Sequence, residues 1–368
     1  MTSHKRYHEL DWLRIMLIIG VFLHHILMPF NGDGFLVMNA QSSKVLDDIM
    51  VYFEQFRLPM LFLIAGAGAV ILLSFKNRTA FIKQRAMRLL VPLIFAILII
   101  VPPQNYIGHI DQFESYWQAY PSLASNLSTN HLWFIEYLVV FALLSLPIYS
   151  FLQSSKGKRV INAIETISNK PAGLFLFAFL LMGLRSVLKI YFPEDSKDIA
   201  NLSSSGFYGF FYVMGMVLMS STTLWANIRR FRRFNWYLLV GCTVIFYGYY
   251  FSPDLSPGLS LEVRWTLWRI VASAVAWSAT LTLIGYAQQY LNHHNQWLAK
   301  CNEMIFPFYI FHQTVIVIAA FYVIQWQTGI TTKIAGLLAI SLPLTVLLCL
   351  MIYPFNAARV LFGVKALR

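Results

Sequence analysis

Long apolar stretches recur along this whole chain, each broken by a polar segment, and that pattern sets the fold class before any single residue is weighed. A helix needs roughly 20 consecutive apolar residues to cross the hydrocarbon of a bilayer. Ten stretches meet that length, at about 11–30, 50–74, 86–104, 132–152, 172–192, 206–224, 236–252, 264–286, 303–325 and 333–355. They predict an all-α integral membrane protein of about ten transmembrane helices. A polar gap runs from Asn31 to Asp48, and a longer one from Gln104 to Asn130 contains no Lys or Arg. No connection is large enough to fold as a separate soluble domain, so residues 1–368 are expected to form a single transmembrane domain.

Composition agrees. Charged residues make up 12% of the chain, about half the share in a soluble protein. The first apolar run holds Asp11 and Arg14 and lacks a small-residue cleavage site, so it reads as a span that stays. Charge then orients the chain. With the N-terminus in the cytoplasm, nineteen of the 28 Lys and Arg residues fall at the termini and in the even-numbered loops. Three fall in the odd loops (Lys44, Lys197 and Lys333), and six lie in spans or at their ends. By the positive-inside rule both termini are expected to be cytoplasmic. Basic loops facing anionic headgroups account for the net charge of +12 without nucleic acid. Cys242, Cys301 and Cys349 have no paired spacing, which points to neither a disulfide framework nor a metal site.

Ionisable groups inside apolar runs are costly and usually face a protein interior or polar cavity. In the first span Arg14 and His25 are eleven positions apart, three turns plus about 20°, and share one helix face roughly 16 Å apart along the axis. Asp11 is placed to pair with Arg14. An arginine fork suits phosphate, and a neutral histidine can take the proton of an attacking hydroxyl or carry an acyl group itself. The pair therefore suits a donor with an anionic head and a long thin arm. The structural alternative is an Arg14 that snorkels to headgroups and a His25 that donates a packing hydrogen bond. Arg85 and Arg88 open the third span at i, i+3 spacing and can grip the same phosphates, although the positive-inside rule also explains them. Glu54 and Arg57 lie early in the second span, His131 and Glu136 open the fourth, and His312 is mid-span in the ninth. Each can be an isolated packing pair; together they suggest a polar cavity. The aromatics Tyr106, Phe113, Tyr116, Trp117 and Tyr120 can stack on sugar rings or form an interfacial belt.

Six segments carry a family resemblance: Leu10-Asp-Trp-Leu-Arg14, Phe56-Arg-Leu-Pro-Met-Leu-Phe, Arg85-x-x-Arg88, Val101-Pro-Pro-Gln, His131-Leu-Trp-Phe and Phe308-Tyr-Ile-Phe-His312-Gln. In this order and on these spans they resemble the acyltransferase 3 family of ten-span membrane enzymes, and within it the branch of glucan biosynthesis protein C. The resemblance implies a membrane O-acyltransferase that moves an acetyl or succinyl group from cytoplasmic acyl-CoA to a hydroxyl of an extracytoplasmic glycan or glucan. It implies His25 as the catalytic residue, with Arg14, Arg85 and Arg88 handling acyl-CoA. His131 and Glu136 are then placed to orient His25 or the acceptor, and Arg57 and His312 to bind substrate. Acyl-CoA enters as a donor substrate, with no permanently bound cofactor and no metal, and the other partner is membrane lipid. A transporter or flippase for an anionic substrate is the rival reading, since buried Arg and His also line anion pathways.

Overall fold

The computed structural model describes residues 6–252 and 258–367. Lys5 and Arg368, two of the basic residues used to orient the chain, lie outside them. The described residues contain helices and no strand. Ten long helices match the ten apolar stretches: α1 (His8–Asn31), α2 (Lys44–Leu73), α3 (Arg78–Gly108), α4 (Trp133–Gln153), α5 (Leu174–Tyr191), α6 (Leu202–Met219), α7 (Arg232–Phe251), α8 (Leu261–Tyr290), α9 (Gln296–Val323) and α10 (Ile330–Ile352). The expected number of spans needs one correction. Among the described residues nine helices are long and apolar enough to cross a membrane, and α7 is not one of them. Its Asn, Trp, Gly and Tyr residues dilute the apolar average.

Local chemistry sets the helix ends. Glu9 and Asp11 occupy the first turn of α1, where carboxylates favour the helix dipole. The helix stops at Gly32, whose φ of +89° is the left-handed conformation a glycine cap supplies. Asn201 caps α6 by accepting from Ser203 N and Ser204 N at 3.0 and 3.2 Å. The polar gap at 104–130 is largely helical. α3 continues to Gly108, and a short helix, Tyr116–Ser125, begins at a Ser115 cap.

Two compact units divide the chain. One comprises residues 1–14, 54–81 and 140–294, the other 15–53, 82–139 and 295–368. In the first, α2 and α6 approach to backbone contact. A Cβ on Gly66 would lie 1.9 Å from the Tyr212 carbonyl oxygen, and one on Gly215 would lie 2.0 Å from that of Leu63. Small residues at such crossings let membrane helices pack closely. Tyr212 also hydrogen-bonds Ser145 at 2.7 Å, and the Trp277 indole donates to the Leu174 carbonyl at 2.8 Å.

In the second unit α9 is central, packed on α10 and on the last turns of α3. Thr314 Oγ1 donates to the Ile100 carbonyl at 2.8 Å. Lys333, at the start of α10, is buried, with its ammonium 2.8 Å from Asn39 Oδ1 and 2.6 Å from the Ile324 carbonyl. α3 contains a π-helical stretch, Ala86–Leu90. Pro92 follows it and has no N–H to give the Arg88 carbonyl, its partner in a regular α-helix. Gly363, at φ +70°, leaves room beside that same carbonyl.

Candidate active site

Three of the histidines embedded in the apolar pattern, His25, His131 and His312, lie in the second unit. His25 is half-buried on α1, and its Nδ1 lies 2.9 Å from His312 Nε2 on α9. His312 is 1% exposed, and its Nδ1 lies 2.6 Å from the Tyr309 carbonyl oxygen one turn earlier on the same helix. A carbonyl oxygen can only accept, so Nδ1 of His312 carries the hydrogen. In a neutral imidazole Nε2 is then the acceptor, and His25 Nδ1–H must donate to it. The proton-free nitrogen of His25 is Nε2. The tautomers are thus assigned from the bond network, and they leave His25 in the form that can take a proton. Phe35 stacks on the His25 ring, with centroids 6.2 Å apart and planes at 21°. His24, the other half of the doublet, is buried and presents its ring edge-on to His25 at 5.7 Å. The bond to His312 belongs to His25.

His131 supports this pair from behind. It lies in a 3-10 turn, Asn130–Leu132, with its ring perpendicular to that of His312 at 5.2 Å. Its Nε2 donates to the Ile310 carbonyl at 3.1 Å, which leaves Nδ1 to accept from Gln104 Nε2 at a long 3.5 Å. Gln104 Oε1 accepts from Gln313 Nε2 at 3.1 Å, and the Tyr309 hydroxyl donates to the His131 carbonyl. The turn is strained, since Asn130 has φ of +42°, and its amide is tied to Asn105 Oδ1 at 2.5 Å. Asparagine tolerates that conformation better than most residues. A buried network whose members are all bonded is rigid, and this one fixes His312 and through it His25.

His25, His131 and His312 therefore come together. Glu136 stands half-buried on α4 in the same unit, five positions after His131. Arg85 and Arg88 are also in this unit: Arg85 ends a regular helical segment, Arg78–Arg85, and Arg88 lies in the π-helical stretch that follows it. π-bulges are frequent at functional sites. Arg14 and Arg57 belong to the other unit. Arg14 pairs with Asp11 at 3.6 Å, as the sequence led us to expect, and Asp11 also accepts from Arg6 at 3.0 Å. Arg57 is buried, with Glu54 and Tyr208 as its electrostatic neighbours. Among the described residues no three His, Cys, Asp or Glu side chains are placed to hold a metal ion.

A family profile described as an acyltransferase domain matches residues 7–354, nearly the whole chain. The chain belongs to the acyltransferase 3 family. Among its relatives, glucans biosynthesis protein C of Escherichia coli K12 is 26% identical over 230 residues, 57% of each chain. The protein of the same name from Salmonella paratyphi B is 24% identical over 272 residues, 69% of this chain and 68% of the relative. The chain thus spans a little over half the length of the E. coli relative it matches. No solved structure matches it. Within this acyltransferase 3 chain, sequence reasoning missed Gln104, Tyr309 and Gln313 as parts of the site. Gln104 and Gln313 each stand in quoted segments, at Val101-Pro-Pro-Gln and beside His312, and an amide inside an apolar run is the signal that marks them.

Proposed function

We propose that this membrane acyltransferase transfers an acetyl or succinyl group from cytoplasmic acyl-CoA to a hydroxyl of an extracytoplasmic glycan or glucan, in a bacterial inner membrane with both termini cytoplasmic. The observation that carries the reading is the chain Tyr309 carbonyl, His312, His25, which leaves His25 Nε2 as the basic nitrogen. In this mechanism the acceptor oxygen attacks the thioester carbonyl while its proton passes to His25 Nε2. The acyl–sulfur bond then breaks, the acyl–oxygen bond having formed, and His25 returns the proton to the departing thiolate. As His25 becomes an imidazolium, His312 Nε2 accepts the hydrogen bond from its Nδ1–H and stabilises the charge.

Arg85 and Arg88, at the π-helical stretch, and Arg14, at the start of α1, are proposed to receive the phosphates of the donor. His131 is a positioning residue acting through His312, Glu136 and Arg57 serve the acceptor, and His312 holds the base. The names of the relatives support a glucan as acceptor.

The test is transfer of labelled acetyl or succinyl groups from CoA to glycan in membrane vesicles carrying the protein. Loss of a general base typically costs about 10²–10⁴ in rate, and that loss is expected for His25→Ala at unchanged protein level. Full transfer by a correctly inserted His25→Ala protein would overturn the mechanism.

A further inference from the structure

Arg88 is exposed within the π-helical stretch Ala86–Leu90 of α3. Its backbone carbonyl meets a distant part of the chain in the same unit, the turn that follows a short helix, Asn356–Leu361. Gly363 is the point of contact. A Cβ there would lie 2.8 Å from the Arg88 carbonyl oxygen and 2.7 Å from the Phe306 ring on α9. Its φ of +70° is also a conformation that side chains disfavour. Glycine is what lets the two backbones come this close.

Contacts on both sides of that glycine hold the turn. Phe362 is buried, and its ring packs on Phe311 of α9 and on Phe95 of α3, with centroids 4.6 and 5.3 Å apart. Arg359 is buried as well. Its guanidinium donates to the Glu303 carboxylate of α9 and, from Nε, to the Lys365 carbonyl at 2.6 Å. One side chain thus ties α9 to the chain beyond the glycine. The Val364 N–H closes the turn on the Arg359 carbonyl at 2.7 Å. Displacing the turn would strip a buried arginine of its partners, which is costly.

The winding of α3 at this point sets where Arg88 is aimed. The Val91 N–H reaches back five residues to the Ala86 carbonyl, and Pro92 gives the Arg88 carbonyl no N–H. The turn against that carbonyl is therefore built into the same irregularity. We infer that the turn Arg359–Val364 is a latch that positions Arg88 for the phosphates of the acyl donor, with Gly363 as its contact and Arg359 as its anchor, an inference that rests on the acyl-CoA reading above. Gly363 and Arg359 are positioning residues that act through the Arg88 backbone. Packing alone would serve every donor alike; a latch on Arg88 serves only a donor that carries phosphate.

The test compares two donors in the purified full-length protein, with envelope glycan as acceptor: acetyl-CoA, and acetyl-pantetheine, which has the same thioester and no phosphate. A charge-assisted contact to phosphate corresponds to about tenfold or more in affinity. The wild type is therefore expected to favour acetyl-CoA by at least about that factor in kcat/KM, and Arg88→Ala to lose most of the preference. Gly363→Ala is expected to raise the KM for acetyl-CoA about tenfold, with kcat little changed and acetyl-pantetheine turnover as it was. Arg359→Lys keeps a charge opposite Glu303 and loses the fork that also reaches Lys365. As the milder variant it should raise the same KM by about threefold or more, and it decides the matter if Gly363→Ala fails to fold. In an Arg88→Ala background neither substitution should add to the loss, because residues that act through one another are not additive. A preference lost in Arg88→Ala and kept in Arg359→Lys overturns the latch and leaves Arg88 as a phosphate ligand. Losses that multiply in the double variants, or that are equal for both donors in Arg359→Lys, mark packing alone and overturn it too. A wild type without preference, or an Arg88→Ala protein that keeps it, overturns the reading of Arg88 and the latch with it.

Discussion

At the scale of single residues, the account turns on where protons sit. His312 is buried and donates to a backbone carbonyl that cannot change role, so its other nitrogen is committed to His25. His312→Ala removes that commitment and lets His25 adopt either tautomer. A drop in kcat of roughly 10² is expected, with the KM for acyl-CoA changing little, and steady-state kinetics of the purified variant check it. A different residue tests packing alone. Lys333 is a buried ammonium satisfied by Asn39 and the Ile324 carbonyl. Lys333→Met leaves both acceptors unsatisfied, at a cost of about 1–3 kcal/mol, read as a lower melting temperature with donor KM unchanged. Both kinds of residue differ in how far the sequence exposes them. An imidazole in an apolar run is conspicuous, which is why His25, His131 and His312 could be picked out. The Tyr309 carbonyl that sets the tautomer is a backbone atom and leaves no mark in the sequence. Gln104 and Gln313 are amides, whose cost in an apolar run is smaller than that of an ionisable group, so the signal they leave is weaker.

At the scale of helices, packing contacts divide positions that look alike in sequence. Gly66 and Gly68 lie two residues apart on α2. A Cβ at 66 would run into the Tyr212 carbonyl, while one at 68 meets nothing within 4 Å. Gly66→Ala should therefore force α2 from α6 and destabilise the protein by several kcal/mol, as overpacking does. Gly68→Ala should be neutral or stabilising by up to about 1 kcal/mol from helix propensity. Thermal melting of the two variants in the same detergent separates them. Hydrophobic periodicity could not make that distinction, because both positions sit in one apolar run. The ten runs themselves were legible because the bilayer fixes span length. Helix ends were blurred by several residues, as at the 104–130 gap, because caps such as Ser115 and the strained Asn130 turn act through local bonds. The π-helical stretch was hidden as well. Only Pro92, four residues after Arg88, hinted at it.

At the scale of the whole molecule, charge and span number must agree. Basic residues on the sparse side of the charge count have their charge answered locally. Lys44 pairs with Asp47 and Asp48 at 2.8 and 2.7 Å, and Lys333 is buried among acceptors. The asymmetry is therefore sharper than the raw count. α7 is the least apolar of the ten long helices, and its crossing decides the topology. If it crosses, the number of spans is even and both termini face the cytoplasm. Reporter fusions at residue 368 and in the 292–296 segment should both read cytoplasmic. An extracytoplasmic C-terminus would show that α7 stays on one side. The most direct measurement of the central claim is thiol release from acyl-CoA, in the presence of envelope glycan, by wild type, His25→Ala, His312→Ala and the double variant. Residues that act as one unit lose activity non-additively. The account predicts that the double variant is no slower than His25→Ala alone, with His312→Ala intermediate. Equal turnover by wild type and His25→Ala, or losses that multiply in the double variant, would contradict it.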